Sequence, residues 1–316
     1  MKASHFLLIM LAATIIAAPL WLSPYHVSFF VTTFMSVALA VSWNLFSGMT
    51  GYISLGHGLF FGIGAYAFAV ATAIFGLAPS VGLVLSATVP ALVALTLGFV
   101  LLTARMRIAY FAIIMLGFNE IAKTIVANVK SIGSSYGLTL PPLTNRFFAY
   151  YFLFALALAT TCFAFAVHKS RWGYGLKAIV ADEIAAETTG VGTVAHKLAM
   201  FAASAVFIGL TGAIVAWNWS YVDPYMAFDL ATSFNMLVMA VFGGFGTVIG
   251  PVLGGVVMSL ASEILSTNLP QFHAIIFGVL VIVLMIWCPG GIIQAFEIVR
   301  GKWTHRARAG VSGVIQ

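Results

Sequence analysis

The chain has 316 residues, of which 62% are hydrophobic and only 7% charged, with a formal net charge of +6. A soluble domain carries roughly 25% charged residues; at a mean hydropathy of +1.09 the sequence describes a polytopic membrane protein, with no polar stretch long enough for a second domain. The basic excess sits in short loops and a tail, as an orientation signal rather than a nucleic-acid footprint, and Cys162 and Cys288 lie in apolar runs that offer neither a disulfide framework nor metal-ligand spacing.

Apolar runs predict spans near 6–22, 27–46, 58–76, 80–103, 108–129, 148–167, 198–219, 231–249, 251–267 and 272–288. A span needs about 17–25 residues, so ten are expected, and eight or nine if the short, glycine-broken runs do not all cross. The first run follows Lys2 as a signal peptide would, but it lacks a small-x-small cleavage site and is expected to be a retained span. With ten spans and a cytoplasmic N-terminus, eleven of the fourteen Lys and Arg fall on one side: Lys2, Arg105, Arg107, the four of 169–197, and the four of the tail at 292–316. Lys130 and Arg146 fall opposite, and Lys123 lies within a span. Both termini are therefore expected in the cytoplasm.

Two glycine-rich breaks interrupt the apolar pattern, at 48–66 and 241–255. Gly58 and Gly62 form one small-xxx-small pair, and Gly246, Gly250 and Gly254 a ladder; such spacing lets helices approach closely in lipid. Both stretches hold too many glycines for a continuous stable helix, and irregular backbone at membrane depth survives only when buried in protein or lining a cavity. At least one break is expected to face a pathway. Few polar groups accompany them: Asn44, His57 in the first break, Glu120 and Lys123 at i, i+3 with Asn119 beside them, Asn235, and Glu263 near the end of the ninth run. Asn44, His57, Glu120 and Asn235 are candidate pathway or gating residues. Two bland alternatives stand beside that reading: Glu120 and Lys123 as a self-neutralised pair, and His57 bonded to a freed backbone carbonyl.

The segment 169–197 is the one long polar stretch between apolar walls, and it holds seven of the chain's 22 Lys, Arg, Asp and Glu. Its centre draws as a short helix with Val180, Ala181, Ile184 and Ala185 on one arc and Asp182, Glu183 and Glu187 opposite; Gly190 follows as a stop. It is either a solvated connector or a helix that docks into a groove on a cytoplasmic partner. No phosphate loop, HExxH or G-x-S-x-G is present, and Gly244-Phe245-Gly246 lacks the preceding strand of a dinucleotide site. No midplane run of carboxylates suits a proton-driven pump, so any engine must be external.

The most specific stretch is Gly48-x-x-Gly51-x-x-Ser54-Leu55-Gly56-His57-x-x-Phe60-Phe61-Gly62-Ile63-Gly64-Ala65-Tyr66. Tyr110-Phe111-Ala112 with Leu116 and Glu120 follows, then Gly133-x-x-x-Gly137-Leu138, then Lys177-Ala178-Ile179 through Asp182-Glu183-x-Ala185-Ala186-x-x-x-Gly190 with Lys197 and Phe201. Gly243-Gly244-x-Gly246-Thr247-x-x-Gly250-Pro251-x-x-Gly254 and Pro289-x-Gly291 complete the set. These motifs in order resemble the permease subunits of ATP-binding-cassette importers for branched-chain amino acids, and the similar urea and amide importers, over about residues 35–292. The likeness is to the larger of that family's two permeases. It implies an all-α polytopic bundle forming one permease domain over 1–316, in a bacterial inner membrane. It also implies a second homologous permease, two cytoplasmic ATPases that bind ATP and Mg, a periplasmic substrate-binding protein, and no cofactor in this chain. Asp182, Glu183, Ala185, Ala186 and Gly190 then form the ATPase-coupling loop, and Gly56, Gly62, Gly246, Gly250 and Gly254 pack helices. Ile184 stands where a Glu is usual, and Val180 where an Arg often stands. The alternatives are a urea or short-amide importer permease, and a self-contained ion-coupled transporter or channel, which would need coupling carboxylates near the midplane.

Overall fold

The structure is a computed structural model and describes residues 18–143, 145, 147–268, 278–279 and 291–292. The expected spans at 6–22 and 272–288, the tail at 292–316 and Arg146 lie outside the described residues, apart from a few positions such as a 3₁₀ turn at Ala18–Leu20.

Among the described residues, seven helical stretches are long and apolar enough to cross a membrane. They are α1 (Pro24–Thr50), α3 (Pro79–Thr103), α4 (Ile108–Asn128), α5 (Phe148–Lys169), α8 (Thr193–Trp219), α9 (Pro224–Ala227) leading into α10 (Leu230–Gly244), and α11 (Ile249–Asn268). The expected run at 58–76 is the shorter α2 (Gly58–Ala69), continued by a π-helical turn at Val70–Ile74. The segment 169–197 contains α6 (Arg171–Ala181) and α7 (Glu183–Thr188), where the sequence suggested one helix.

Local chemistry explains the helix starts. Pro24 and Pro79 sit in the first turns of α1 and α3, where a missing N–H leaves nothing unpaired. Asp182, Asp223 and Asp229 cap α7, α9 and α10, each accepting from one or two N–H groups of the first turn. All of the chain's aspartates are thereby committed to caps.

Helices α1 and α8 are the most buried of the seven and form the centre. α8 packs on α1, α2 and α3, and α1 on α5, α10 and α11. Small residues set the close crossings. A Cβ on Gly64 would lie 2.2 Å from the Gly209 carbonyl oxygen, and one on Gly209 would lie 2.3 Å from that of Ser86. Pro90 removes the N–H that would bond the Ser86 carbonyl within α3, and α8 meets that freed carbonyl. The expected ladder holds in part: Gly250 and Gly254 lie in α11 against the Gly244 and Met239 carbonyls. Gly246 does not belong to it, because it precedes the helix with φ +74° and backs onto the Gly48 carbonyl.

At one end of the bundle, β1 (Leu138–Thr139) pairs antiparallel with β2 (Tyr221–Val222). The opposite end gathers 51–53, 104–107 and α6–α7, and is called the loop end below.

Candidate functional site

The loop end is built on Asp182. Its side chain bonds the N–H groups of Ile184 and Ala185 at 2.9 and 3.0 Å, which stops α6 and starts α7 in a new direction. Gly190 ends the motif with φ +86°; Gly190 N–H bonds the Glu187 carbonyl and Val191 N–H the Ala186 carbonyl, the paired bonds of a Schellman stop.

Between these two caps the polar side of α7 turns inward. Lys197 of α8 is wholly buried, and its ammonium is bonded to the Glu183 carboxylate, whose side chain is 28% exposed. Tyr52 closes the cluster: its hydroxyl donates to the other oxygen of Glu183 at 3.2 Å, and its ring lies 4.4 Å from the Lys197 ammonium. Burial first, and then the Glu183 charge, push the Tyr52 phenol up to about 12, so it remains a donor. Glu187 accepts from Thr193 Oγ1 at 2.8 Å and from the Arg105 guanidinium at 3.0 Å. The Thr193 bond holds its carboxyl below the ordinary range; desolvation opposes it, and the Arg105 charge adds to the lowering. The short helix is thus tied to α8, to Arg105 in the α3–α4 connection and to Tyr52 just beyond α1.

The other side of the segment faces outward. Val180, Ala181, Ile184 and Ala185 are all exposed, Ile184 by 74%. Ala186, expected on a partner-facing surface, is instead buried in this chain's own core at 3% exposure. Its small size is demanded from within, because α7 carries Ala186 on the face that holds Glu183 against α8. Lys197 was read as part of a loop; its i, i+14 relation to Glu183 depends on the turn at 189–192 and has no sequence signature.

The first glycine break runs back into the bundle. From Gly51 the chain returns beside α1, where Trp43 Nε1–H donates to the Ser54 carbonyl at 2.9 Å and Ser47 Oγ accepts from the Ser54 N–H at 3.3 Å. Side chains thus satisfy backbone that no helix ladder serves. His57 is fully buried among Trp43, Phe46, Phe60 and Phe201. Its Nε2 meets Ser204 Oγ at 3.2 Å rather than a freed carbonyl as the bland alternative had it. A Cβ on Gly56 would lie 2.0 Å from the Met115 carbonyl oxygen, and one on Gly62 2.4 Å from the Phe228 ring. The Gly58 N–H bonds Ser233 Oγ at 2.7 Å, and Asn119 bonds the Phe228 carbonyl at 2.8 Å.

The second break is held by Asn44. Its amide nitrogen donates to the Thr247 carbonyl at 2.8 Å, and its amide oxygen accepts from the Gly246 N–H at 3.0 Å. Gly48, one turn on, must lack a side chain, since a Cβ there would lie 1.9 Å from that oxygen. Glu120 and Lys123 form an ion pair within α4, both half-buried. Asn235 is exposed and lines a cleft of about 190 Å³ between α1, α10 and α11. The four candidate pathway residues are therefore dispersed: Asn44 and His57 work inside the two breaks, Glu120 pairs on its own helix, and Asn235 faces the cleft.

The family model described as "Branched-chain amino acid transport system / permease component" matches residues 25–286. The high-affinity branched-chain amino acid transport system permease protein LivM of Salmonella typhimurium is 28% identical over 324 residues, covering 92% of this chain and 75% of that protein. LivM of Escherichia coli is 26% identical, over 90% of this chain and 74% of its own length. The permease protein LivH of Salmonella typhimurium is 25% identical over 169 residues, about half of each chain. No solved structure matches. A multi-pass helical bundle with both glycine breaks and the double-capped loop inside the matched span belongs to the branched-chain amino acid transport permease family.

Proposed function

We propose that this chain is one of two permease subunits of an ATP-binding-cassette importer for branched-chain amino acids, in the inner membrane of a bacterium. It has ten spans with both termini and the loop end in the cytoplasm. Likeness to both LivM and LivH supports a heterodimer with a second, homologous permease. Two cytoplasmic ATPases hold ATP and Mg, and a periplasmic binding protein delivers the solute.

The observation that carries this reading is the two-sidedness of α7. Its outer face presents Ile184 and Ala185 to a partner, while its inner face is bonded to α8, to the α3–α4 connection and to Tyr52 beyond α1 through Glu183 and Glu187. Force applied at the exposed face reaches α8 and the two loops that flank it through these bonds and not through a flexible tether. The test is co-purification of the ATPases with the permease, together with leucine uptake. Ile184→Glu and Ala185→Arg should abolish both, since an interface packed like a core rejects added charge and volume, while amide exchange in α7 stays at the parental rate. Normal co-purification and uptake in both variants would reduce the segment to a solvated connector.

A further inference from the structure

Nearly all the carboxylates among the described residues are committed. Among the described residues the three aspartates cap helices, Glu120 pairs with Lys123, Glu183 with Lys197 and Glu187 with Arg105. Glu263 is the exception. Among the described residues it meets no cation, and the Tyr25 hydroxyl donates to its Oε1. A carboxylate on an apolar spanning helix is costly unless it has a task or a partner.

Glu263 lines the cleft between α1, α10 and α11. The cleft has a direction. α1 and α10 run toward the loop end and α11 runs away from it, so Thr32, Thr232 and Glu263 share the end remote from the loops, and Leu39, Met239 and Met258 the inner end. From Thr32 to Leu39 this is about 10 Å of helix. One turn inward from Glu263, on the same face of α11, Ser259 is 7% exposed, and its hydroxyl has no hydrogen-bond partner among the described residues. An unmet hydroxyl at that depth costs about 1–3 kcal/mol. At about 190 Å³ the cleft is smaller than the roughly 300–1,000 Å³ of drug-sized sites.

We propose that this cleft binds a small solute with a primary ammonium group and an apolar body. Glu263 takes the ammonium, Ser259 supplies the next hydrogen bond, and Leu39, Met239 and Met258 receive the apolar part. Asn235 and Thr232 are neutral donors in the same cleft for a carboxylate on the same solute. The inference rests on the transport reading above and narrows it: neutral amides and urea, which have no cation to offer Glu263, are excluded.

The test uses the assembled importer in membranes, with Cys162 and Cys288 replaced by Ala and with Ser259→Cys as the reporter. Labelling by a cationic methanethiosulfonate (aminoethyl) is compared with an anionic one (sulfonatoethyl). Any effect of Glu263 on thiol ionisation cancels in the ratio. With Glu263 one turn away, the cationic reagent should react about tenfold faster or more, and Glu263→Gln should bring the ratio close to one, with Glu263→Asp restoring it. Leucine and isopentylamine should slow labelling, whereas isovaleramide should not. Equal rates for the two reagents, a ratio unchanged by Glu263→Gln, protection by isovaleramide, or no labelling by either reagent would each overturn the proposal. The transport reading fails separately, if the parent importer takes up no branched-chain amino acid while the labelling asymmetry persists.

Discussion

Removing the carboxylate at position 183 isolates a buried charge. Lys197 is wholly buried, so in Glu183→Ala its ammonium loses its counter-charge and meets water only through the gap that Glu183 leaves. Deleting one member of a buried pair costs about 3–5 kcal/mol. The low end applies here, because the Glu183 side chain is 28% exposed and the Tyr52 ring still faces the ammonium at 4.4 Å. A loss of about 3 kcal/mol corresponds to about a hundredfold in an opening equilibrium. Because α7 is a short element held by these bonds, the loss should appear as local opening. Hydrogen–deuterium exchange of the amides of 184–190, in detergent-solubilised protein, should accelerate by about that factor, while α1 exchanges as before. The double change Glu183→Ala with Lys197→Met removes both charges and should return exchange to within about tenfold of the parent. Acceleration below threefold in the single variant, or equal acceleration in single and double variants, would refute the argument that the pair holds the helix.

Other expectations can be measured directly. Gly56→Ala should abolish recovery of monodisperse protein on size exclusion, because its Cβ meets the Met115 backbone at 2.0 Å, whereas Gly117→Ala in α4, with nothing within 4 Å, should be tolerated and stabilise by up to about 1 kcal/mol. The Glu187 carboxyl is held below its unfolded value, so its contribution is complete above that value and is lost as pH falls through the folded one. Exchange at the end of α7, corrected for intrinsic rate, should rise under acid conditions in the parent, and Glu187→Gln should flatten that dependence. Reporter fusions at Gly192 and Gln316 should both read cytoplasmic; a periplasmic reading at either refutes the ten-span orientation.

Much of the bundle was legible because lipid leaves few choices: apolar runs of helical length at 80–103, 108–129 and 148–167 reappear within a few residues as α3, α4 and α5. The run at 231–249 was overextended, since positive φ at Gly244 and Gly246 ends α10 before the next helix begins. The candidate site was legible where chemistry is local. Gly190 as a stop and the Glu120–Lys123 pair both lie within a turn of their partners. It was illegible where partners are distant in sequence. Nothing near Tyr52 announces Glu183, 131 positions on, and nothing near Ala186 reveals that its face is turned inward. The arc of Val180, Ala181, Ile184 and Ala185 was read from periodicity as one continuous helix, yet the fold breaks it at Asp182 and still leaves all four side chains outward.

The grip of Asn44 on the second break sets a demand on that position that packing alone would not. The break presents one donor, at Gly246, and one acceptor, at Thr247, on adjacent residues. Of the side chains short enough to fit beside Gly48, only a carboxamide answers both from a single carbon. Aspartate would face the Thr247 carbonyl with like polarity, leucine would orphan both groups, and glutamine would carry the amide one methylene too far. Position 44 therefore behaves as a two-pin connector, keyed by polarity as well as by length, and joins halves of the chain some two hundred residues apart.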